Sequence, residues 1–144
     1  MDRPASIVRF DQFYLGHIVM GLVGSVIALF SGNNPALTQA NETIGPWFLP
    51  TILGLGLLTQ IALFYFIGRK GSAVAKWLLV ALTAINLLGV VFLLFAFATG
   101  MGAESRNLIG SLFSLGASAL LVAAVSMLFR PDTAAWFGET APAR

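Results

Sequence analysis

Three polar residues lie within apolar stretches, and they are the residues of this chain that could do chemistry. His17 is the only histidine, and one imidazole can ligate the metal of a haem or chlorophyll-type pigment, or titrate near neutral pH. Gln60 and Asn86 carry amides that could line a polar pocket for a headgroup, a quinone or a small substrate. Alternatively, all three residues bond neighbouring helices together, at about 0.6 kcal/mol per bond in membranes. We favour this packing role for each of them.

The sequence lacks residue types that several other kinds of chemistry require, so those kinds are excluded. The chain has no cysteine, which removes disulfides, thiolate metal sites, iron–sulfur clusters and cysteine nucleophiles. A single histidine cannot supply both axial ligands of a bis-histidine haem. No charged residue lies in the middle of an apolar stretch, whereas ion-coupled pumps place ionisable groups there. The sequence therefore predicts a protein that is not an enzyme, disfavours proton-driven transport, and identifies no cofactor beyond the possible ligand His17.

The composition indicates a membrane protein with one domain. Of the 144 residues, 58% are hydrophobic and only 10% are charged, against about 25% charged residues in typical soluble domains. So few charges cannot cover the surface of a soluble protein of this size. The net charge is +2, and the cations occur in short groups beside apolar stretches. Such groups of cations typically set the orientation of membrane spans, and they do not indicate nucleic-acid binding.

Four apolar stretches position the polar residues. Each is long enough to cross a hydrocarbon core of about 30 Å at roughly 1.5 Å per residue. They cover residues 10–30, 47–67, 74–98 and 106–129, approximately. The first stretch exceeds the apolar core of a signal peptide, so we expect a retained span. The sequence predicts an all-α four-helix membrane bundle over residues 1–144, built around the hairpin of the second and third spans.

The loop after the first span is predicted to contain a short amphipathic helix on the membrane surface. Asn34 followed by Pro35 is a favourable helix start, because the asparagine can cap and the proline fits the first helical position. Leu37, Ala40 and Ile44 then follow at helical spacing.

Cations and tryptophans predict the orientation. With four spans both termini share one side, and that side holds seven of the eight cations, the exception being Arg106. Short loops rich in lysine and arginine stay in the cytoplasm, so we predict that both termini are cytoplasmic. Trp47 is expected to anchor the outer interface, and Trp77 and Trp136 the inner one.

Small residues recur on the first and fourth spans. They include Gly21, Gly24, Ser25 and Ala28 on the first span, and Gly110, Ser114 and Ser118 at a spacing of four on the fourth. Small faces allow helix backbones to approach closely in membranes. We favour packing of these small residues within the bundle. The alternative is that they contact another protein.

Two stretches resemble a group of known sequences. Residues 67–77 (IGRKGSAVAKW) and 129–137 (FRPDTAAWF) look like those of small four-span inner-membrane proteins of unknown function from alphaproteobacteria. The resemblance implies a fold and a bacterial inner-membrane location, and it transfers no activity and no site residues.

The functional hypothesis is an accessory or scaffolding subunit of a larger inner-membrane complex. Its partners would be the lipid bilayer and other membrane subunits, or further copies of the chain, and not nucleic acid. One rival is a small oligomeric transporter or channel with a path lined by His17, Gln60, Asn86 and the serines of the fourth span. The other is a pigment- or haem-binding membrane protein that uses His17.

Overall fold

The computed structural model describes residues 3–30, 39, 42–101 and 108–139, and within these ranges the only regular structure is helical. Four long helices follow one another along the chain. They are α1 (Ala5–Phe30), α2 (Phe48–Gly68), α3 (Ala73–Thr99) and α4 (Leu108–Met127), followed by a short 3₁₀ helix, Pro131–Thr133. The predicted all-α, four-helix architecture is confirmed.

Helix α1 begins at Ala5, earlier than the predicted span. The carbonyl of Pro4 accepts hydrogen bonds from the amides of Ile7 and Val8 at 3.0 and 3.3 Å, and proline is well suited to the start of a helix. Arg9 and Asp11 are therefore helical although they are charged. The apolar pattern marks the part of the helix suited to lipid, whereas backbone hydrogen bonds set where the helix begins.

A four-residue turn, 69–72, joins α2 to α3. The amide of Arg69 bonds the carbonyl of Tyr65 at 2.9 Å, and the amide of Ser72 reaches back to the carbonyl of Phe66 at 3.0 Å. Gly71 adopts φ +60°, a left-handed conformation that glycine tolerates at a helix end. Ser72 then caps α3 by accepting a hydrogen bond from the backbone amide three residues later. The turn makes α2 and α3 an antiparallel hairpin.

The helices run alternately up and down. One end of the bundle, which we call the basic end, holds the start of α1, the 69–72 turn and the end of α4. Contacts at this end include Asp11 beside Gly68 and Ser6 bonded to Asp132. The most extensive helix pairing is between α1 and α4.

The core is concentrated towards the basic end. Its buried residues come from all four helices and from the segment after α4. They are Ile7, Phe10, Tyr14, Leu63, Ile67, Ala75, Leu79, Leu121, Ala124, Leu128 and Phe137. Large aliphatic and aromatic side chains are exposed along every helix, as expected for surfaces that face lipid.

All four helices are long and apolar enough to cross a membrane. The chain is a multi-pass membrane protein with these four spans. Most of the loop expected to carry a surface helix lies outside the described residues, as does residue 106, where the fourth span was predicted to begin. Within that loop, Gln39 and residues 42–44 are described, and they are helical.

Candidate functional site

His17 connects two helices. Its Nδ1 atom lies 2.8 Å from the backbone carbonyl of Ala117 on α4. A carbonyl can only accept, so Nδ1 carries the hydrogen and Nε2 of the neutral ring keeps a lone pair. The ring packs against Tyr14, with 5.8 Å between ring centroids. This geometry supports the packing role, while the lone pair on Nε2 is the feature that a metal ligand would need.

Gln60 and Asn86 are half-buried, and they are not joined through their carbonyl oxygens. Gln60 Oε1 and Asn86 Oδ1 are both buried and have no hydrogen-bond partner among the described residues. A bond between the two amides would satisfy at least one of these oxygens. The geometry therefore shows no mutual bond between the two amides across α2 and α3.

Close packing between α1 and α4 uses small residues, and one of them, Gly24, belongs to the row predicted on the first span. A Cβ atom added to Gly24 would lie 3.1 Å from Cβ of Phe113, and one added to Gly16 would lie 3.2 Å from Leu120. On α4, a Cβ atom at Gly116 would lie 2.6 Å from the end of a methionine side chain of α1. These three glycines therefore allow the two helices to approach closely.

The predicted small residues have mixed environments. Ser118 is buried and Gly110 is half-buried, but Ser114 is exposed. On α1, Ser25 donates to the carbonyl of Gly21 at 2.8 Å, and nothing lies within 4 Å of the position of a Cβ atom on Gly21. Gly16 and Gly116 belong to neither predicted row, and the available signal for them is their residue type, because glycine allows the closest approach of helix backbones.

The three tryptophans lie near helix ends. Trp47 precedes α2 at the end opposite the basic end, and both it and Trp77 are exposed. Trp136 is half-buried at the basic end, and its indole Nε1 donates to the carbonyl of Ile67 at 3.0 Å. The bond from Trp136 fixes the end of α2.

One stretch of α2, residues 50–56, has no buried face. Residues 50–56 are seven consecutive exposed residues, which make up about two helical turns. Nothing lies within 4 Å of the positions that Cβ atoms would occupy on Gly54 and Gly56. The second half of the same helix differs, because Leu63 and Ile67 are buried. Residues 50–56, which we call the unpacked half of α2, are thus exposed on every side of the helix.

Lys76 is the buried cation of the basic end. Only 2% of its surface is exposed, and its Nζ atom lies 2.9 Å from both carboxylate oxygens of Glu139. The same Nζ lies 4.7 Å from the ring centroid of Phe129 and 4.9 Å from that of Phe137. Two aromatic rings and one carboxylate therefore compensate the charge that burial removes from water.

Asp132 caps the start of α1 from the far end of the chain. Its carboxylate accepts a bond from the Ser6 amide at 3.1 Å and another from the Ser6 hydroxyl at 2.8 Å. The Ser6 amide is one of the first-turn donors that a helix leaves unpaired. The hydroxyl of Ser6 is the main cause of a lowered pKa of the Asp132 carboxyl, and the Ser6 amide and the charge of Arg130 add to it.

The lowered pKa of Asp132 predicts a pH-dependent contribution to stability. A carboxyl whose pKa is lower in the folded chain stabilises it above the unfolded pKa, about 3.9, and this stabilisation is lost as pH falls through the folded pKa. We expect Asp132→Asn to lower the melting temperature at pH 7 and to have a smaller effect near pH 3. Thermal melts of the parent chain and of Asp132→Asn in one detergent at both pH values measure this difference. The other carboxyls are the same in the two chains, so their titration cancels in the comparison. An equal difference at both pH values would contradict the prediction.

The described residues contain no group of three or more histidine, cysteine, aspartate or glutamate side chains that could hold a metal ion. Comparisons with protein-family models, with curated proteins and with solved structures found no match to this chain.

Proposed function

We propose that this chain is a non-enzymatic accessory subunit of a larger complex in a bacterial inner membrane. The unpacked half of α2, residues 50–56, carries the proposal. Each helix of a self-sufficient bundle normally buries one face against its neighbours, yet this stretch is exposed all round. Gly54 and Gly56 leave its backbone uncovered, and glycine in a membrane helix favours close approach by another helix. A transmembrane helix of another protein is the occupant that fits.

The proposed orientation places the basic end in the cytoplasm. Arg69 and Lys70 are exposed in the 69–72 turn, and Arg3, Arg9 and Arg130 belong to the same end. Clusters of lysine and arginine in short loops are retained on the cytoplasmic side. Under this arrangement the unpacked half of α2 lies in the outer half of the membrane, so the partner helix must reach that depth.

Photo-crosslinking in native membranes tests the accessory role. A benzoylphenylalanine at Leu55, which is 61% exposed on the unpacked half of α2, should form an adduct with one other membrane protein. A matched control at Leu88, which is 71% exposed on α3, should form no comparable protein adduct. Gentle extraction followed by a native gel should show the chain in a band much larger than a few copies of itself, and mass spectrometry of that band identifies the partner.

Two outcomes would reject the accessory role. Adducts at Leu55 that contain only this chain, with a native band of a few copies, would make it a self-assembling protein. The absence of any protein adduct at Leu55, with a band at the mass of a single chain, would show that lipid covers α2.

A further inference from the structure

The segment after α4 bonds internally and forms a compact extension of that helix. The hydroxyl of Thr133 donates to the carbonyls of Leu128 and Arg130 at 2.9 and 2.7 Å. Further along, backbone amides at positions 137 and 139 bond the carbonyls at positions 133 and 134. We call residues 131–139 the strap. These bonds make α4 and the strap one body, to which Asp132 attaches the start of α1.

The strap holds the α2–α3 hairpin at three points. The Trp136 indole bonds the Ile67 carbonyl at the end of α2. The Trp136 carbonyl lies so close to Gly71 that a Cβ atom there would overlap it. Glu139 pairs with Lys76 in the first turns of α3. At the other end of the hairpin, residues 50–56 of α2 are exposed.

The ion pair between Lys76 and Glu139 is asymmetric. The lysine side chain is almost completely buried, whereas 38% of the glutamate side chain is exposed. Removing the glutamate charge would leave a buried cation whose remaining contacts, within the described part of the chain, include the rings of Phe129 and Phe137. A buried charge that loses its partner strongly favours any state in which water reaches it. Here that state is one in which the hairpin has moved away from the strap.

We propose that the strap is a latch for the α2–α3 hairpin and that the Lys76–Glu139 pair locks it. In the latched state, Ala75 and Lys76 are covered. When the pair is broken, the start of α3 separates from the strap and water reaches both residues, while α1, α4 and the strap stay together. The latch controls access to a buried cation at the basic end and does not depend on the accessory role.

Cysteine labelling measures the opening, and the chain contains no native cysteine. Ala75→Cys, which we call the buried reporter, should react slowly with a membrane-impermeant maleimide. The neighbouring Val74→Cys, which we call the exposed reporter, stands at a position that is 80% exposed and should react fast.

Breaking the ion pair should change the labelling rate at only one of these two positions. Adding Glu139→Gln should speed labelling of the buried reporter by about tenfold or more, because labelling follows the population of the open state. The rate at the exposed reporter should not change. As a matched control, Glu42→Gln removes one exposed charge outside the latch and should leave both rates unaltered.

Two further variants separate opening of the latch from unfolding. Trp136→Phe removes the indole bond to Ile67 while keeping an aromatic ring, and it should also speed labelling of the buried reporter. A distal reporter, Ala96→Cys, stands at a buried position near the other end of α3, and it should keep its rate in the Glu139→Gln chain.

Two results would overturn the latch. The first is unchanged labelling of the buried reporter in both Glu139→Gln and Trp136→Phe, which would show that neither contact keeps water from the start of α3. The second is equal acceleration at the buried and distal reporters, which would show that the whole chain unfolds.

Discussion

Alanine in place of Gly71 should destabilise the folded chain by about 2–5 kcal/mol, the sum of a backbone cost and a steric clash. A left-handed backbone conformation costs an ordinary residue roughly 1–2 kcal/mol, and Gly71 has φ +60°. The new Cβ atom would also overlap the backbone carbonyl of Trp136. A backbone oxygen cannot rotate away as a side chain can, so the strap or the 69–72 turn must move. Either movement disturbs the bond from Trp136 to Ile67 and the ion pair of Lys76.

Gly100 provides the matched control for this substitution. It has φ +72° at the end of α3, and nothing lies within 4 Å of the position of an added Cβ atom. Gly100→Ala therefore introduces the conformational cost alone, and we expect a loss of roughly 1–2 kcal/mol.

Thermal or chemical unfolding of both variants, followed by circular dichroism in the same detergent, gives the comparison. The difference between the two losses isolates the contact with Trp136. Equal losses would show that the strap does not lie against the turn in the membrane protein. A loss at Gly71 accompanied by rapid labelling of the buried reporter would link the clash to opening of the latch.

Hydropathy predicted the helices well because it reports directly on the environment of each segment. Helices α2 and α3 begin and end within one residue of the predicted spans. The turn between them was also recognisable, since its glycines and cations cannot continue an apolar helix. These features depend on neighbouring residues in the sequence, so local patterns are sufficient to find them.

The basic end could not be predicted in the same way, because its contacts join residues that are far apart. Lys76 belongs to the cations that occur in short groups beside the apolar stretches, but it is buried against Glu139, 63 positions later. The carboxylate of Asp132 likewise caps α1 through Ser6, 126 positions earlier. The spacing of apolar residues in the sequence does not indicate which acidic side chain pairs with which distant cation. The aromatic residues and Glu139 that follow Pro131 were the available signal that this segment folds back.

The small residues show a different limit of sequence reasoning. A spacing of four advances about 40° around a helix at each step, so the row from Gly110 through Ser114 to Ser118 does not follow a single contact line. The actual contact of α4 with α1 includes Gly116 and Ala117. The identity of a small residue indicates that close approach is possible. The partner's shape decides which of several small residues is used.

Leucine at Gly24 should destabilise the bundle, whereas leucine at Gly21 should not. A Cβ atom at Gly24 would lie 3.1 Å from Cβ of Phe113, and space at Gly21 is open. Overpacking a close contact costs about 1–3 kcal/mol, and we expect the upper part of this range because Phe113 Cβ is fixed to the backbone of α4. Both substitutions gain the same helix propensity, about 1 kcal/mol relative to glycine. That gain therefore cancels when the two variants are compared.

Melting temperatures of the two variants in one detergent measure the difference, with Gly24→Leu expected to melt well below the parent and Gly21→Leu at or above it. A separation of α1 from α4 would also break the bond from His17 to Ala117, so the signal of the His17 imidazole in nuclear magnetic resonance should change only in Gly24→Leu. Similar melting of both variants would contradict the close contact between α1 and α4. The experiment therefore tests whether the most extensive helix pairing of the bundle depends on the absence of a side chain at Gly24.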